Sequence, residues 1–339
     1  MRLHEACSPT FARHETFHPK LGWFRKGVLA ASRDGGNLFH APDAAARLGV
    51  GKNMVRSIRF WTTAARLITD VPNPENNRVP LVEPTNLGLG LLGPDGADPY
   101  MENMATWWWI HWMMLSPGSQ LPVWWILLNE LSATEFDDEL AHYVVESALE
   151  RSPWEKPSAS SIDKDISAFI RTYAPSAEGG RSKFDDQFGC PLRDLHLLRI
   201  SPTGYRLAAG EPRQLPPEVV VAAALDYVAV TNPASRTIAL SRLANEPGAP
   251  GKAFRLGEEE LTKMFEPLVQ THDALTLSAP AGSLQLGWKG TADKLAQQLL
   301  GEVLPVDPDG DALAGVTARE PGATGGVKQL GLLAYEAAL

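Results

Sequence analysis

Residues 42–61 read Pro-Asp-Ala-Ala-Ala-Arg-Leu-Gly-Val-Gly-Lys-Asn-Met-Val-Arg-Ser-Ile-Arg-Phe-Trp. Pro42 and Asp43 suit the start of a helix, where a missing N–H costs nothing and a negative charge meets the positive end of the helix dipole. Ala45 offers a small surface for a close helix crossing. Gly49 tolerates the positive φ of a sharp turn. Val55, Ile58 and Trp61 then form the buried stripe of a second helix. This is the spacing of a helix-turn-helix. Lys52, Asn53, Arg56 and Arg59 fall on the opposite side, suited to phosphates and base edges in a major groove. Two strand-like pieces, 67–71 and 78–82, flank the turn-rich run Pro72-Asn73-Pro74-Glu75-Asn76-Asn77, which reads as the tip of a wing. The stretch therefore predicts an N-terminal winged helix, a fold used against both DNA and proteins.

Charge points the same way. The chain has 339 residues and a formal charge of −9, yet residues 1–70 hold eleven Lys/Arg against five Asp/Glu. Phosphate backbones respond to such local positive charge rather than to the net value. A basic solvated surface with no partner is the plain alternative. Apolar residues at 44% and charged residues at 21% fit an ordinary globular protein and exclude disordered, collagen-like and coiled-coil classes. Two cysteines, Cys7 and Cys190, leave no Cys-based zinc site within the chain and suit a reducing, cytoplasmic setting. Met1–Thr10 lacks the apolar core of a signal peptide. The longest apolar run, 104–115, falls short of the roughly 20 residues that span a bilayer, so no membrane partner is expected.

The remainder predicts a mainly α (α+β) protein. Six of the ten tryptophans lie between Trp107 and Trp125, in two apolar segments, 103–115 and 121–131, separated by Ser116-Pro117-Gly118. That is a helical hairpin in which the rings either stack bases or fill a core. The Leu, Ile and Met that share the segments favour the core. A helix is expected over 135–149, and another capped by Ser161 with Ile162, Ile166, Phe169 and Tyr173 inward. Residues 174–183 read as a loop, and the Pro-rich joint 211–217 precedes a last region. There, helices at 219–230, 236–245 and 257–265 and strands at 274–279 and 283–288 suggest a second winged-helix-like part, with a loop-rich tail after Leu304. The expected domains are 1–95 (winged helix), 96–210 (Trp-rich helical) and 211–339 (winged-helix-like with tail).

A second motif competes for function. His14-Glu15-Thr16-Phe17-His18 fits H-E-x-x-H, in which two His one helical turn apart bind zinc and Glu activates water. It makes a zinc metallopeptidase an alternative. Pro19 disfavours helix at His18, and no third ligand is identifiable. A His–Glu pair ahead of a helix also serves to fix the chain by hydrogen bonds.

Several blocks resemble a family of uncharacterised domains from bacterial defence islands. They are Phe11-Ala12-Arg13-His14-Glu15-Thr16-Phe17, Gly22-Trp23-Phe24-Arg25-Lys26-Gly27 and Leu48–Val55. Asp98-Pro99-Tyr100-Met101-Glu102 with Trp108 and His111, and Cys190-Pro191-Leu192-Arg193-Asp194-Leu195, follow. The resemblance covers about residues 11–290. The family's best-known role is as the B component of the Ssp single-stranded DNA phosphorothioation system, similar to a DNA nickase acting beside a cysteine desulfurase, an ATPase and an ATP pyrophosphatase. The resemblance implies a double-stranded DNA partner, those enzymes as protein partners, and metal-assisted nicking with Mg²⁺ or Mn²⁺. No catalytic motif of the family maps onto this chain.

Candidate catalytic groups come from the residues alone. Phosphodiester cleavage commonly needs carboxylates around one or two metal ions and a base. Asp185-Asp186, Asp163/Asp165, Asp98/Glu102 and Asp137-Asp138-Glu139 are the acidic candidates, each more often a cap or a solvated face. His14 and Glu15 gain weight from the neighbouring basic cluster. His14, Glu15, Asp185 and Asp186 are the catalytic candidates; Arg25, Lys26, Lys52, Asn53, Arg56 and Arg59 are the DNA-binding ones. The alternative to a nickase is a non-catalytic adaptor that brings the sulfur-transfer enzymes to DNA.

Overall fold

The computed structural model describes residues 1–175, 189–210 and 214–304. After a short α1 (Leu3–Ala6) come α2 (Trp23–Ala31), α3 (Ala44–Leu48), α4 (Lys52–Ala64), β1 (Ile68–Val71) and β2 (Leu81–Pro84). β1 and β2 pair antiparallel, Ile68 opposite Pro84 and Val71 opposite Leu81. The helices meet closely for local reasons. Gly49 ends α3 in the left-handed region, at φ +64°, so the chain turns straight into α4. Gly27 lets α2 lie against α4, since a Cβ there would sit 2.1 Å from Thr62 Oγ1. Gly22, also left-handed at φ +78°, precedes α2, which starts at Trp23. α5 (Asn86–Leu92) follows, its end capped by Thr85 Oγ1, which accepts from the Gly88 N–H at 3.0 Å.

The Trp-rich hairpin forms as expected. α6 (Met104–Leu115) and α7 (Pro122–Asn129) flank a turn in which Gly118 takes φ +88°. All six tryptophans are buried, Trp108, Trp109 and Trp112 completely. α6 is apolar on every side because it is enclosed on every side.

The rest of the middle region departs from the sequence reading. Residues 135–136 are not helical but form β3 (Glu135–Phe136). Asp137 then caps α8 (Asp138–Glu150), its carboxylate accepting from the Leu140 N–H at 2.8 Å. α9 (Ala159–Tyr173) starts earlier than expected, because Ser158 rather than Ser161 is its cap. β4 (Leu198–Ser201) and β5 (Gly204–Leu207) form a hairpin, and the sheet order is β3-β5-β4.

The last region repeats that order. α10 (Pro217–Thr231), β6 (Thr237–Ala239), α11 (Leu240–Asn245), α12 (Pro250–Phe254) and α13 (Glu258–Thr271) precede the hairpin β7 (Leu275–Ser278) and β8 (Gln285–Trp288). The sheet order is β6-β8-β7. The helix expected over 236–245 thus gives up residues 237–239 to a strand. α14 (Ala292–Val303), unmarked in the sequence reading, packs along the almost wholly buried α10. Among the described residues three antiparallel hairpins follow helices α4, α9 and α13, and the buried apolar side chains form one continuous core from Leu3 to Leu304. Most of the loop expected at 174–183, part of the Pro-rich joint and the tail beyond Leu304 lie outside the described residues.

Candidate nucleic-acid interface

α4 is amphipathic in the manner expected. Val55, Ile58 and Trp61 are buried, while Lys52, Asn53 and Arg56 are exposed along the outer side. Arg56 is 71% exposed and reaches Glu15 through an Nη1–Oε1 contact of 3.3 Å. Arg59 is less free, because its Nη2 donates to both carboxylate oxygens of Asp70 on β1 at 2.8 Å. An exposed ion pair contributes about 0–1 kcal/mol, so Asp70 holds Arg59 only weakly. A groove of about 580 Å³ opens beside the α3–α4 turn, between Lys20, Trp23, Gly49, Gly51 and Met54.

Arg25 and Lys26 extend the basic surface along α2. The Arg25 guanidinium lies over the ring of Tyr100 at 4.8 Å, a cation–π contact. Lys26 Nζ donates to the Leu48 carbonyl at 2.8 Å, where the negative end of α3 favours a cation. Lys26 thereby ties α2 to α3 as well as adding charge.

His14 and Glu15 part company. The segment 11–22 forms no helix, and Ala12, Glu15 and Thr16 adopt left-handed φ of +52°, +50° and +66°. The two histidines of H-E-x-x-H therefore do not stand one helical turn apart, which corrects the zinc-peptidase alternative. His14 is buried, stacked on Trp61 at 5.8 Å, with Nε2 2.7 Å from Asp165 Oδ1 on α9. The Ala12 N–H also reaches the Asp165 carboxylate, at 3.1 Å. Burial pushes the Asp165 carboxyl up, against the pull of these donors. The Phe17 carbonyl accepts from Trp61 Nε1 at 3.0 Å, and the Thr16 carbonyl accepts from Arg171. The segment is a wedge between α4 and α9, with Glu15 on its outer side beside Arg56.

Most other acidic candidates have structural work. Asp98 accepts from the Glu102 and Asn103 N–H groups at 2.9 and 3.0 Å and from Thr106 Oγ1 at 2.5 Å, holding the start of α6. Asp163 lies 2.7 Å from His142 Nδ1. Among the described residues no three His, Cys, Asp or Glu side chains converge as metal ligands. Asp185 and Asp186 lie outside the described residues.

One buried polar centre escaped the sequence reading. His111 on α6 has Nε2 2.9 Å from the Ala253 carbonyl and Nδ1 2.7 Å from the Tyr173 hydroxyl. A carbonyl only accepts, so Nε2 carries the proton and Nδ1 accepts from Tyr173. Burial drives His111 down to about 4.

Residues 11–304 match the family described as "Protein of unknown function (DUF4007)". The chain belongs to that family. Its fold is similar to a solved structure described as "SspB crystal structure", with TM-score 0.84, 33% identity and coverage of 91% of this chain and 93% of that one. It is equally similar to a magnesium ion-bound SspB crystal structure, with TM-score 0.84, 34% identity and coverage of 91% and 92%. No curated protein matches the chain. These likenesses agree with the resemblance carried by the sequence blocks, from Phe11–Phe17 onward. Among the described residues no helix is long and apolar enough to cross a membrane.

Proposed function

We propose that this protein docks double-stranded DNA on α4 as the DNA-handling component of a phosphorothioation system. One comparison within the chain carries the reading. A helix precedes each described hairpin, α4 and α13 directly and α9 with residues 174–197 between. α4 holds Lys52, Arg56 and Arg59 and no acidic residue. α9 balances Asp163 and Asp165 with Lys164 and Arg171, and α13 sets Glu258, Glu259, Glu260 and Glu266 against Lys263. Duplex DNA carries one negative charge per about 1.7 Å of axis, so it is drawn to α4 and repelled by α13. We read the α2–α3–α4–β1–β2 unit as a winged helix with α4 in the major groove. The likeness to SspB supports the setting, with a cysteine desulfurase, an ATPase and an ATP pyrophosphatase as partners.

Strand nicking with Mg²⁺ or Mn²⁺ is the activity that setting adds, and the magnesium-bound SspB supports a divalent ion. The described residues do not fit such an ion, since the carboxylates weighed above do not converge. No catalytic step is assigned to them. The second reading is a non-catalytic adaptor that positions the sulfur-transfer enzymes on DNA. Incubating the full chain with supercoiled plasmid and Mg²⁺ or Mn²⁺ separates the two. Open-circle product supports the nickase, and gel retardation without cutting supports the adaptor. Neither retardation nor cutting would overturn the reading as a whole.

A further inference from the structure

The DNA-facing surface does not end at α4. A second groove, of about 440 Å³, runs between α2 and the 99–101 segment. Its walls include Arg25, Lys26, Arg33 and Arg47 and, among the described residues, no acidic side chain. Arg47 is paired with the neighbouring Asp34, while Arg33 is exposed on the α2 side. Two large apolar side chains stand open to solvent in this cationic setting. Tyr100 is 70% exposed and Leu21 is 52% exposed. The Asp98 carboxylate, by accepting from Glu102, Asn103 and Thr106, holds the bend that presents Tyr100, with Met101 at φ +58°. The Arg25 guanidinium lies over the Tyr100 ring, yet among the described residues its buried Nε meets no hydrogen-bond acceptor.

We propose that this groove binds an unpaired stretch of single-stranded DNA, one base stacking on Tyr100 and the flanking phosphates facing Arg33 and Lys26. The proposal rests on DNA being the ligand and names a second form of it, distinct from the duplex on α4. The chemistry is that of single-strand sites. A cationic channel follows the backbone, and an aromatic ring takes any base because every base has a π face. Base pairs in a duplex hide those faces, so an exposed tyrosine set among arginines has more to gain from an unpaired strand. The groove adjoins the α3–α4 turn through Arg47 and Leu48, so a strand separated next to a duplex on α4 meets it directly.

The test measures anisotropy of labelled dT12 and of a labelled duplex with the full chain and with Tyr100→Ala and Tyr100→Phe. Tyr100→Ala is expected to weaken dT12 binding by about 5- to 150-fold, the range of one lost base stack. It should leave duplex binding within about twofold, and Tyr100→Phe should bind both as the parent does. Unchanged dT12 binding by Tyr100→Ala overturns the proposal, as does equal loss of duplex binding. Tighter binding of rU12 than dT12, or competition by dTMP as effective as by dT12, also overturns it. Photocrosslinking of a 5-iodouracil oligonucleotide to the unaltered chain decides the matter if the alanine variant fails to fold. The crosslink is expected on Tyr100, and a crosslink confined elsewhere sinks the site. A parent that binds dT12 but no duplex would overturn the function proposed for α4 and leave this groove standing.

Discussion

His14 and Asp165 lie 151 positions apart in the chain, yet the imidazole Nε2 sits 2.7 Å from the carboxylate Oδ1 in a buried contact. The pair fastens the 11–17 segment, which also touches α4 through Trp61, to α9 in the next unit. This explains why a His–Glu motif with the outline of a metal site holds none of its geometry: the histidine faces inward and the glutamate outward.

His14→Ala should therefore be destabilising, by about 3–5 kcal/mol, since it strips the Asp165 carboxylate of its buried partner. Denaturant unfolding reads the change. Glu15→Gln, altering only an exposed pair with Arg56, should leave stability within about 0.5 kcal/mol. A harmless His14→Ala would show that the wedge is not fixed by this pair.

Glu15→Gln has a second expected effect. The carboxylate stands 3.3 Å from Arg56, on the surface proposed to meet phosphates. Removing its charge should tighten duplex binding severalfold at low salt, with the difference fading at high salt as screening grows. If Glu15 instead takes part in strand cleavage, binding will stay near normal while nicking is lost.

Lys52→Ala with Arg56→Ala should weaken duplex affinity uniformly across sequences. The slope of log affinity against log salt should flatten by roughly one unit per lost phosphate contact. Affinity measured at several salt concentrations checks it, and an unchanged slope excludes α4 as the docking helix.

Trp108→Ala should cost about 3–5 kcal/mol, because a fully buried ring leaves a cavity the helices cannot close. Thermal melting tests this. Retained stability with weakened single-strand binding would make the tryptophans base-stacking groups rather than core.

His111 predicts an acid-sensitive core. Its folded value of about 4 lies below the ordinary 6.5, so between these values the unfolded chain binds more protons. Stability is complete above pH 6.5 and falls as pH drops toward 4, by on the order of 3 kcal/mol from this residue. His111→Gln should show a flatter dependence of melting temperature on pH across that window. An unaltered slope would assign the acid sensitivity to other groups.

The local grammar of the chain is legible in its sequence. Gly49 between two apolar stripes gave the turn from α3 to α4, and Ser116-Pro117-Gly118 gave the hairpin of α6 and α7. The charged outer side of α4 followed from helical periodicity, because 3.6 residues per turn separate Lys52 and Arg56 from Val55 and Ile58. The strands β3, β4 and β5 were not legible. β3 spans only two residues, and the pairing of the three strands with one another, with Phe136 against Tyr205, is what stabilises them.

What tertiary structure decided was where polar side chains end up. His14 and Asp165, His111 and Ala253, and Arg25 and Tyr100 are each far apart or unrelated in sequence pattern, and folding sets each pair within contact distance. Sequence fixes which face of a helix is polar, since that depends on neighbours three and four residues away. Whether a polar group then meets solvent, a carboxylate or an aromatic ring depends on which distant element packs over it. Burial makes that choice, because an enclosed donor or acceptor must find a partner or be left unsatisfied at a cost of about 1–3 kcal/mol.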